Sequence, residues 1–271
     1  HSIERVCENL KAGGVFPCFI ILNNDLSAGI PDILKGASVP TYPSIQAGWH
    51  ARHKSHHFRL TADLINEFGE IVGLDPWLFS CLFEVVDQVD IHESGDRQRL
   101  ADAAASLMQR TQAKYDEHRI AEKPFVFLKT DRGTYGMGVT PFEDPRQIVT
   151  LGRRARNKLY KAKGAQVVTR YLLQEGVPSS TRVQGQVAEA VVYQIANQFV
   201  GGFYRTHGQK SDRENLNAAG MGFSRMCPHA HRYGEPVAHP DPNIFDVYRI
   251  LARIAGIAAH REIRQLETAL P

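Results

Sequence analysis

Residues 124–142 constrain the fold more than any other part of the chain. The apolar run 125–128 leads into Lys129, a loop with three glycines follows, and a second apolar run begins at Val139. Two such runs joined by a short glycine-rich loop predict a β-hairpin. A Walker A loop is excluded because the lysine precedes the glycines. A dinucleotide-binding fingerprint is excluded because the element that follows has the pattern of a strand, not a helix.

The loop of this hairpin has the composition of an anion-binding loop. Gly133, Gly136 and Gly138 let backbone N–H groups approach an anion without obstruction by a Cβ atom. Lys129 supplies a fixed positive charge for a phosphate oxygen. A purely structural glycine-rich turn is the alternative, but the lysine before the loop and Asp131 within it favour phosphate binding.

Further along the chain, three features are compatible with a bound nucleotide. The strand-like run 172–175 ends at Glu175 before a glycine, where the backbone and the carboxylate can hold an adenine; a solvated carboxylate is the alternative. Arg205 ends another strand-like run, a position from which an arginine can bind a phosphate or a carboxylate. Asn215 and Asn217 offer the oxygen ligands that Mg²⁺ prefers, and a capped turn explains them equally well.

The first half of the chain mixes helix and strand patterns. They predict helices over 2–11, 27–35, 50–72, 76–85 and 96–115, with a buried strand over 19–22 inside the longest apolar stretch, 15–22. A strand followed by polar residues and a helix is the usual α/β arrangement.

The second half is richer in strands. Its patterns predict a basic helix over 145–158, strands over 166–174, 188–195 and 198–205, and an amphipathic helix over 243–264. Ala196 and Asn197 alone separate the last two strands, which is the spacing of a hairpin. The change in character near residue 120 is the best candidate for a domain boundary.

Composition excludes several classes of protein. No apolar run approaches the roughly 20 residues needed to span a bilayer, and the first residues lack the pattern of a signal peptide. The four cysteines are widely separated, which argues against a disulfide scaffold and a zinc ribbon and predicts a reducing, cytoplasmic location. A net charge of +3 leaves room for an anionic ligand without requiring a polyanionic partner. We therefore expect no membrane or nucleic-acid partner, and a homo-oligomer stays open.

Two basic segments have alternative interpretations. His53 and His57 are spaced as zinc ligands on one helix face, but cations lie between them and no HExxH pattern is present, so an anion-binding helix start or a solvated basic face is favoured. The run 153–163 could contact nucleic acid. It lacks interleaved aromatic residues beyond Tyr160, which favours a helix face beside the nucleotide site.

Several blocks of the sequence together resemble the proteobacterial glutamate–cysteine ligase family of the ATP-grasp type, and the resemblance covers nearly the whole chain. The blocks are ILNNDLSAG, QAGWHARHKSHHF, KPFVFLKTDRGTYGMGV, AEAVVYQIANQFVGGFYRTH and ENLNAAGM. The order of elements is also similar to that of the eukaryotic glutathione synthetases, a circularly permuted ATP-grasp fold. The resemblance implies an α/β (α+β) fold of the ATP-grasp-like type. An α/β substrate-binding region would span 1–120, and an antiparallel-sheet nucleotide-binding region would span 121–271.

The resemblance also implies a reaction and a set of site residues. ATP would phosphorylate the γ-carboxylate of glutamate, and the amine of cysteine would then attack the acyl phosphate to give γ-glutamylcysteine, the first step of glutathione biosynthesis. Catalysis would depend on charge neutralisation and positioning. The implied roles are phosphate binding by Lys129 and Arg205, a lid formed by Gly133, Gly136 and Gly138, nucleotide contacts from Glu175 and Asn215, Mg²⁺ ligation by Asp131 and Asn217, and binding of the amino-acid carboxylates by Arg52, Lys54 and Ser55.

This chain departs from the family pattern at its N-terminus. The family begins with a further segment that resembles an acid-x-asparagine metal site, and this chain begins inside that pattern, so we expect part of the metal site to lie outside it. Two other functions therefore stay open. One is an ATP-grasp ligase for another amino acid or peptide, and the other is a nucleotide-binding remnant without turnover.

Overall fold

Two four-stranded antiparallel sheets and two long helices carry the architecture. The computed structural model describes residues 3–26, 28–48, 51–133, 138–160, 167–226 and 243–268. The strands are β1 Ile3–Val6, β2 Asn9–Ala12, β3 Ile20–Ile21, β4 Thr41–Tyr42, β5 Phe83–Val86, β6 Val126–Thr130, β7 Val139–Phe142, β8 Tyr171–Glu175, β9 Arg182–Val183, β10 Gln186–Ile195, β11 Gln198–His207 and β12 Gly222–Met226. The helices are α1 Lys54–Val72, α2 Ser94–Glu117, α3 Arg146–Val149, α4 Arg153–Tyr160 and α5 Ile244–Thr268.

The first sheet has the strand order β5-β8-β6-β7, and every neighbouring pair is antiparallel. Residues alternate across a strand, so Val126, Leu128 and Thr130 of β6 are buried on one face. Helix α2 covers this core with Leu100 and Leu107, which are fully buried. The opposite face of β6 carries Phe127 and Lys129, which are half-buried.

The second sheet has the order β12-β11-β10-β9 and is also antiparallel. One face packs on the start of α5 through a cluster of Ala188, Tyr204, Met226 and Phe245. Further along, α5 packs on α1 through Leu64, Ile65, Ile254 and Ala258. Helix α5 therefore joins the second sheet to α1. None of the helices within the described residues is long and apolar enough to cross a bilayer.

The predicted helix over 2–11 was wrong, because the described part of this segment is an antiparallel hairpin. Strands β1 and β2 pair from Ile3↔Ala12 to Val6↔Asn9, and Cys7 adopts a positive φ of 57° in the turn. A short helix is stable only when it buries an apolar stripe. Within β1 and β2 only Leu10 is buried, so the segment has no such stripe.

The apolar run 15–22 is not the buried strand that its composition predicted. Only Ile20 and Ile21 belong to a strand, β3, which pairs in parallel with β4. Val15, Phe16 and Phe19 are exposed. Burial depends on which element covers a strand, and the described residues leave this run largely uncovered.

The predicted helix over 76–85 was also wrong. A 3₁₀ helix covers Pro76–Phe79, and the chain then enters β5, whose residues pair with β8 from Phe83↔Gln174 to Val86↔Tyr171. Pairing and packing in the sheet outweigh a local helical pattern. The helix predicted over 27–35 shrinks to a 3₁₀ turn at Asp32–Leu34, and the one predicted over 145–158 divides into α3 and α4.

The long amphipathic helices and the two hairpins are confirmed. α1, α2 and α5 lie where the apolar periodicity predicted them, and β6 pairs with β7 across the glycine-rich loop. Strands β10 and β11 meet at Ala196 and Asn197, which both have positive φ values, 49° and 60°. A type I′ hairpin turn requires this conformation.

Gly176, at the end of β8, offers a test of the packing. A Cβ atom added there would lie 2.3 Å from the ring of Phe125, which is fully buried. We expect Gly176→Ala to lower the free energy of unfolding by about 1–3 kcal/mol because the ring has no room to move. Urea denaturation measures this. The matched control is Gly152→Ala, whose Cβ would meet nothing within 4 Å. Equal unfolding free energies for the two variants would contradict the packing described here.

Candidate active site

A cavity of about 160 Å³ lies between the open faces of the two sheets. Lys129 enters it from β6, and Glu189 enters it from β10. The remaining lining residues are Phe127, Val139, Val177, Ser179, Asp212, Glu214, Asn215 and Leu216. Apolar side chains from the first sheet face carboxylate and amide groups from the second sheet and from the loop after β11. The cleft can therefore hold a ligand with one apolar and one highly polar end.

Lys129 is the cation of this cleft on the side of the first sheet. It lies opposite Val139 in the β6–β7 register, and its ammonium donates a hydrogen bond to the side-chain oxygen of Gln174. Burial lowers the pKa of Lys129 below its usual value. A partly desolvated ammonium with a neutral hydrogen-bond partner is a strong point charge for an incoming anion.

Arg205, on the second sheet, is not among the residues that line the cavity, but its ion-pair partner Glu189 is. Arg205 lies directly opposite Glu189 in the β10–β11 register, and its Nη1 donates to Glu189 Oε1 at 2.5 Å. Its buried Nε has no hydrogen-bond acceptor among the described residues. Buried donors are normally paired, so this nitrogen is an exception among the described residues.

The structure brings Asn215 to the cleft but not the carboxylate of Glu175. Glu175 is buried and accepts hydrogen bonds from Trp77 Nε1 (3.0 Å) and the backbone N–H of Leu82 (2.8 Å). Burial raises the pKa of Glu175 despite these bonds. Its carboxylate therefore ties β8 to the segment around Trp77, and the contact with adenine implied for Glu175 stays a prediction.

Asn215 and Asn217 form a turn. The side-chain oxygen of Asn215 accepts a hydrogen bond from the backbone N–H of Asn217 at 3.1 Å, which is the capped turn that the sequence left open. Asn215 lines the cleft, whereas Asn217 is not among its lining residues.

Asp131 does not suit the role of a metal ligand. Oδ1 accepts from the backbone N–H of Ser55 (2.7 Å), and Oδ2 accepts from Ser55 Oγ and His53 Nδ1 (both 2.8 Å). Burial acts to raise the pKa of Asp131, but these hydrogen bonds outweigh it and the pKa falls below its usual value. A carboxylate that already accepts three hydrogen bonds has little capacity left for a cation, and within the described residues no hydrogen bond links Asp131 to Asn217. Asp131 instead caps the N-terminus of α1.

Lys54, Ser55 and Arg52 are likewise engaged with the protein. Lys54 donates from Nζ to the backbone oxygens of Thr130 (2.9 Å) and Gly133 (3.0 Å), and burial lowers its pKa to about 8. Ser55 is buried against Asp131. Arg52 forms a two-armed ion pair with Glu262 of α5, with Nη2–Oε2 at 2.6 Å. Their role in binding the substrate carboxylates stays a prediction.

The glycine-rich loop is partly described. Gly133 and Gly138 have positive φ values of 109° and 68°. A Cβ atom at Gly138 would lie 2.6 Å from the Thr130 side chain, so this position requires glycine. Gly136, the third predicted lid residue, lies outside the described residues.

The metal and nucleic-acid alternatives gain no support from the described residues. His53 binds Asp131, and His57 Nδ1 lies 3.4 Å from Glu262 Oε2, so the two rings do not share a ligand. A group of Asp75, Glu117 and His118 has ligand atoms close enough for a metal, but the ammonium of Lys114 already bridges the two carboxylates. The basic run is helix α4 up to Tyr160, and its remainder is outside the described residues.

Sequence reasoning missed Glu189 and Asp212, which line the cleft. One signal was available for Glu189, because it is the one acid in the otherwise apolar run 187–192. An acid that interrupts an apolar strand is expensive to bury without a partner, and its partner, Arg205, was itself a candidate. Asp212 lies in a loop and has no comparable signal.

An α+β protein with a polar cleft between two antiparallel sheets is the class that this fold and site define. The family model GshA, glutamate-cysteine ligase, matches residues 1–263, so the chain belongs to the glutamate–cysteine ligase family. The chain is also similar to the crystal structure, at 1.90 Å resolution, of a protein designated a gamma-glutamylcysteine synthetase from Methylobacillus flagellatus KT. That similarity has a TM-score of 0.85, 33% sequence identity and 97% coverage of this chain. The chain spans 63% of the length of that protein. A search of curated proteins finds no match.

The ion pair between Arg52 and Glu262 leads to a prediction about stability and pH. Burial acts to raise the pKa of Glu262, but contacts with His57 and Arg52 outweigh it and lower the pKa to about 2. A carboxylate with a lowered pKa contributes stability above its unfolded-state pKa, and this contribution disappears as the pH falls through the folded-state value. We expect Glu262→Gln to lower the free energy of unfolding by about 2 kcal/mol at pH 7. The difference from the wild type should shrink between about pH 4.5 and pH 2.

Urea titrations from pH 2 to pH 7 measure this difference. Glu267→Gln, an exposed position on the same helix, is the matched control and should change little. A difference between wild type and Glu262→Gln that does not depend on pH would show that the charge of Glu262 does not stabilise the fold.

Proposed function

We propose that this chain carries out the ATP-dependent ligation of the γ-carboxylate of L-glutamate to the amine of L-cysteine. The observation that carries the proposal is the two-sided cleft, in which Lys129 of the first sheet and Glu189 of the second, the ion-pair partner of Arg205, line one cavity close to a glycine-rich loop. Membership of the glutamate–cysteine ligase family supports this choice among anion-binding functions.

The reaction would proceed in two transfers. A γ-carboxylate oxygen attacks the γ-phosphorus of ATP and ADP leaves. The cysteine amine then attacks the acyl carbon, the acyl C–O bond breaks, inorganic phosphate leaves, and the amine proton passes to solvent or phosphate. Both transfers build up negative charge on phosphate oxygens, which preorganised cations stabilise. Lys129, which lines the cleft, and Arg205, which is ion-paired with the cleft residue Glu189, are the groups that would supply this stabilisation.

We further propose an ATP-grasp arrangement of the nucleotide. The apolar side of the cleft, with Phe127 and Val139, would hold the base, and the turn through Gly133 and Gly138 would cover the phosphates. Residues 121–271 would form the nucleotide-binding region, and 1–120 would form the substrate-binding region. These would not be independent folding units, since β5 of the first region is hydrogen-bonded to β8 of the second.

Mg²⁺ would enter with the nucleotide phosphates. The donor set of the cleft suits it, because Glu189 and Asn215 offer carboxylate and amide oxygens in the cavity that contains Lys129. The ion would neutralise phosphate charge. We place Glu189 and Asn215 ahead of Asp131 for this role, because the Asp131 oxygens are committed to the cap of α1.

The proposed activity is tested by coupled ADP release with the full chain, ATP, Mg²⁺, L-glutamate and a panel of amines that includes L-cysteine. We expect ADP release to depend on both glutamate and cysteine. Equal turnover with other amines would favour a ligase of different specificity. Thermal stabilisation by ATP without any ADP release would favour a nucleotide-binding protein without turnover.

The cleft itself is tested by Lys129→Ala. We expect this variant to bind ATP about tenfold more weakly or worse, because a charge-assisted hydrogen bond to phosphate contributes about 1.5–3 kcal/mol. Calorimetric titration with ATP measures the affinity. Lys35→Ala is the matched control, because Lys35 is an exposed lysine that pairs with Asp32 on the surface, and it should bind ATP like the wild type. An unchanged affinity in Lys129→Ala would remove this residue from the site.

A further inference from the structure

A second cavity, of about 370 Å³, lies at the end of the first sheet where β6 leaves it and β8 enters. Its walls include His53, Arg132, Thr169 and Arg170, and it shares no lining residue with the nucleotide cleft. The carboxylates of Asp87 and Asp131 also line it. The resemblance implied a metal role for Asp131, but it assigns no role to Arg132, Thr169 or Arg170.

Arg132 is held in place here without being neutralised. Its Nε and Nη2 donate to Nε2 of His53, at 3.0 and 2.8 Å. Within the described residues no carboxylate lies at ion-pair distance from this guanidinium. The other arginine of the cavity, Arg170, already donates from Nε to Asp87 Oδ2 at 2.9 Å. Arg132 therefore presents a fixed positive charge and unused donors.

The orientation of His53 depends on Asp131. Since Arg132 donates to Nε2, that nitrogen must be the acceptor, so the ring hydrogen lies on Nδ1 and is donated to Asp131 Oδ2 at 2.8 Å. Asp131 is in turn fixed by Ser55 at the start of α1. Asp131 and His53 thus form a chain of positioning residues that aims Arg132.

We propose that this cavity is an oxyanion-binding site in which Arg132 binds a carboxylate of an amino-acid substrate or a phosphate group of the nucleotide. The planar guanidinium fork matches both groups, and a preorganised arginine loses less conformational entropy on binding than a mobile one. The inference rests on the proposed function for the identity of the ligand. The existence of the site rests on the geometry alone.

The test is calorimetric titration of the full chain with L-glutamate, L-cysteine, ADP and inorganic phosphate as separate probes, without turnover. We expect Arg132→Gln to weaken binding of at least one probe by roughly tenfold or more. Arg146→Gln is the matched control, because Arg146 is an exposed arginine that pairs with Asp144 on the surface. It should leave every affinity unchanged.

The probes distinguish the sources of the oxyanion. Weaker binding of glutamate or cysteine assigns an amino-acid carboxylate, and weaker binding of ADP or phosphate assigns a nucleotide phosphate. Wild-type affinities in Arg132→Gln for every probe, or no binding of any probe by the wild type, would overturn the proposal. A chain that binds glutamate through Arg132 but does not ligate it to cysteine would refute the proposed function and leave the site intact.

Asp131→Asn tests the positioning chain separately. The amide oxygen must still accept from the Ser55 N–H, so the NH₂ group would face His53 Nδ1 and force the ring hydrogen onto Nε2, where it opposes the donors of Arg132. We expect long-range ¹H–¹⁵N spectra to show this change of tautomer, together with a loss of affinity equal to that of Arg132→Gln. The double variant, with Arg132→Gln and Asp131→Asn together, should bind the probe no more weakly than either single variant. An unchanged tautomer with unchanged affinity would remove Asp131 and His53 from the site.

Discussion

The buried carboxylate of Asp131 connects the parts of the molecule on which the candidate sites depend. It follows β6 directly, so the sheet sets its position, and it satisfies the N–H and hydroxyl of Ser55 in the first turn of α1. A negative charge at this end of a helix is stabilised by the unpaired N–H groups and by the helix dipole. The cap therefore joins the first sheet to α1, and the glycine-rich loop departs from the same point.

The ion pair of Arg52 with Glu262 extends this connection to the C-terminal helix. Arg52 lies just before α1, and Glu262 is 1% exposed on α5, which also packs on the second sheet. The two sheets that face each other across the nucleotide cleft are thus joined through α1 and α5 as well as through the chain that follows β8. Four candidate site residues, Arg52, Lys54, Ser55 and Asp131, make these structural contacts. Each therefore has a role in the fold that does not require contact with a ligand. Two residues close together in the chain line different cavities. Lys129 of β6 lines the cleft, and Arg132, just after β6, lines the second cavity.

Local patterns predicted the elements whose periodicity extends over many residues. The helices α1, α2 and α5 and the β6–β7 and β10–β11 hairpins follow from apolar spacing and turn residues. The segments whose predicted secondary structure was wrong are short. Residues 76–85 became a 3₁₀ helix and a strand because β8 offers a partner, which no local pattern encodes. Of the residues that line the cleft, Lys129 and Asn215 were candidates because of their own neighbours in sequence. The buried contacts of Glu175 and Asp131 instead depend on Trp77 and Ser55, which are far from them in the chain.

The sequence by itself determined the hairpin that presents Lys129 beside a glycine-rich loop, because strand alternation and glycine conformation are local properties. Only the tertiary structure decided which groups Lys129 meets. If the pairing of β10 with β11 continued without interruption from Ile195↔Gln198, Arg205 would lie opposite Ala188. A bulge at Tyr193/Gln194 shifts the register by one residue and places it opposite Glu189 instead. A one-residue shift exchanges the two faces of a strand. Arg205 is therefore paired with Glu189, a residue that lines the cleft, because of a backbone irregularity that the two-residue turn does not predict.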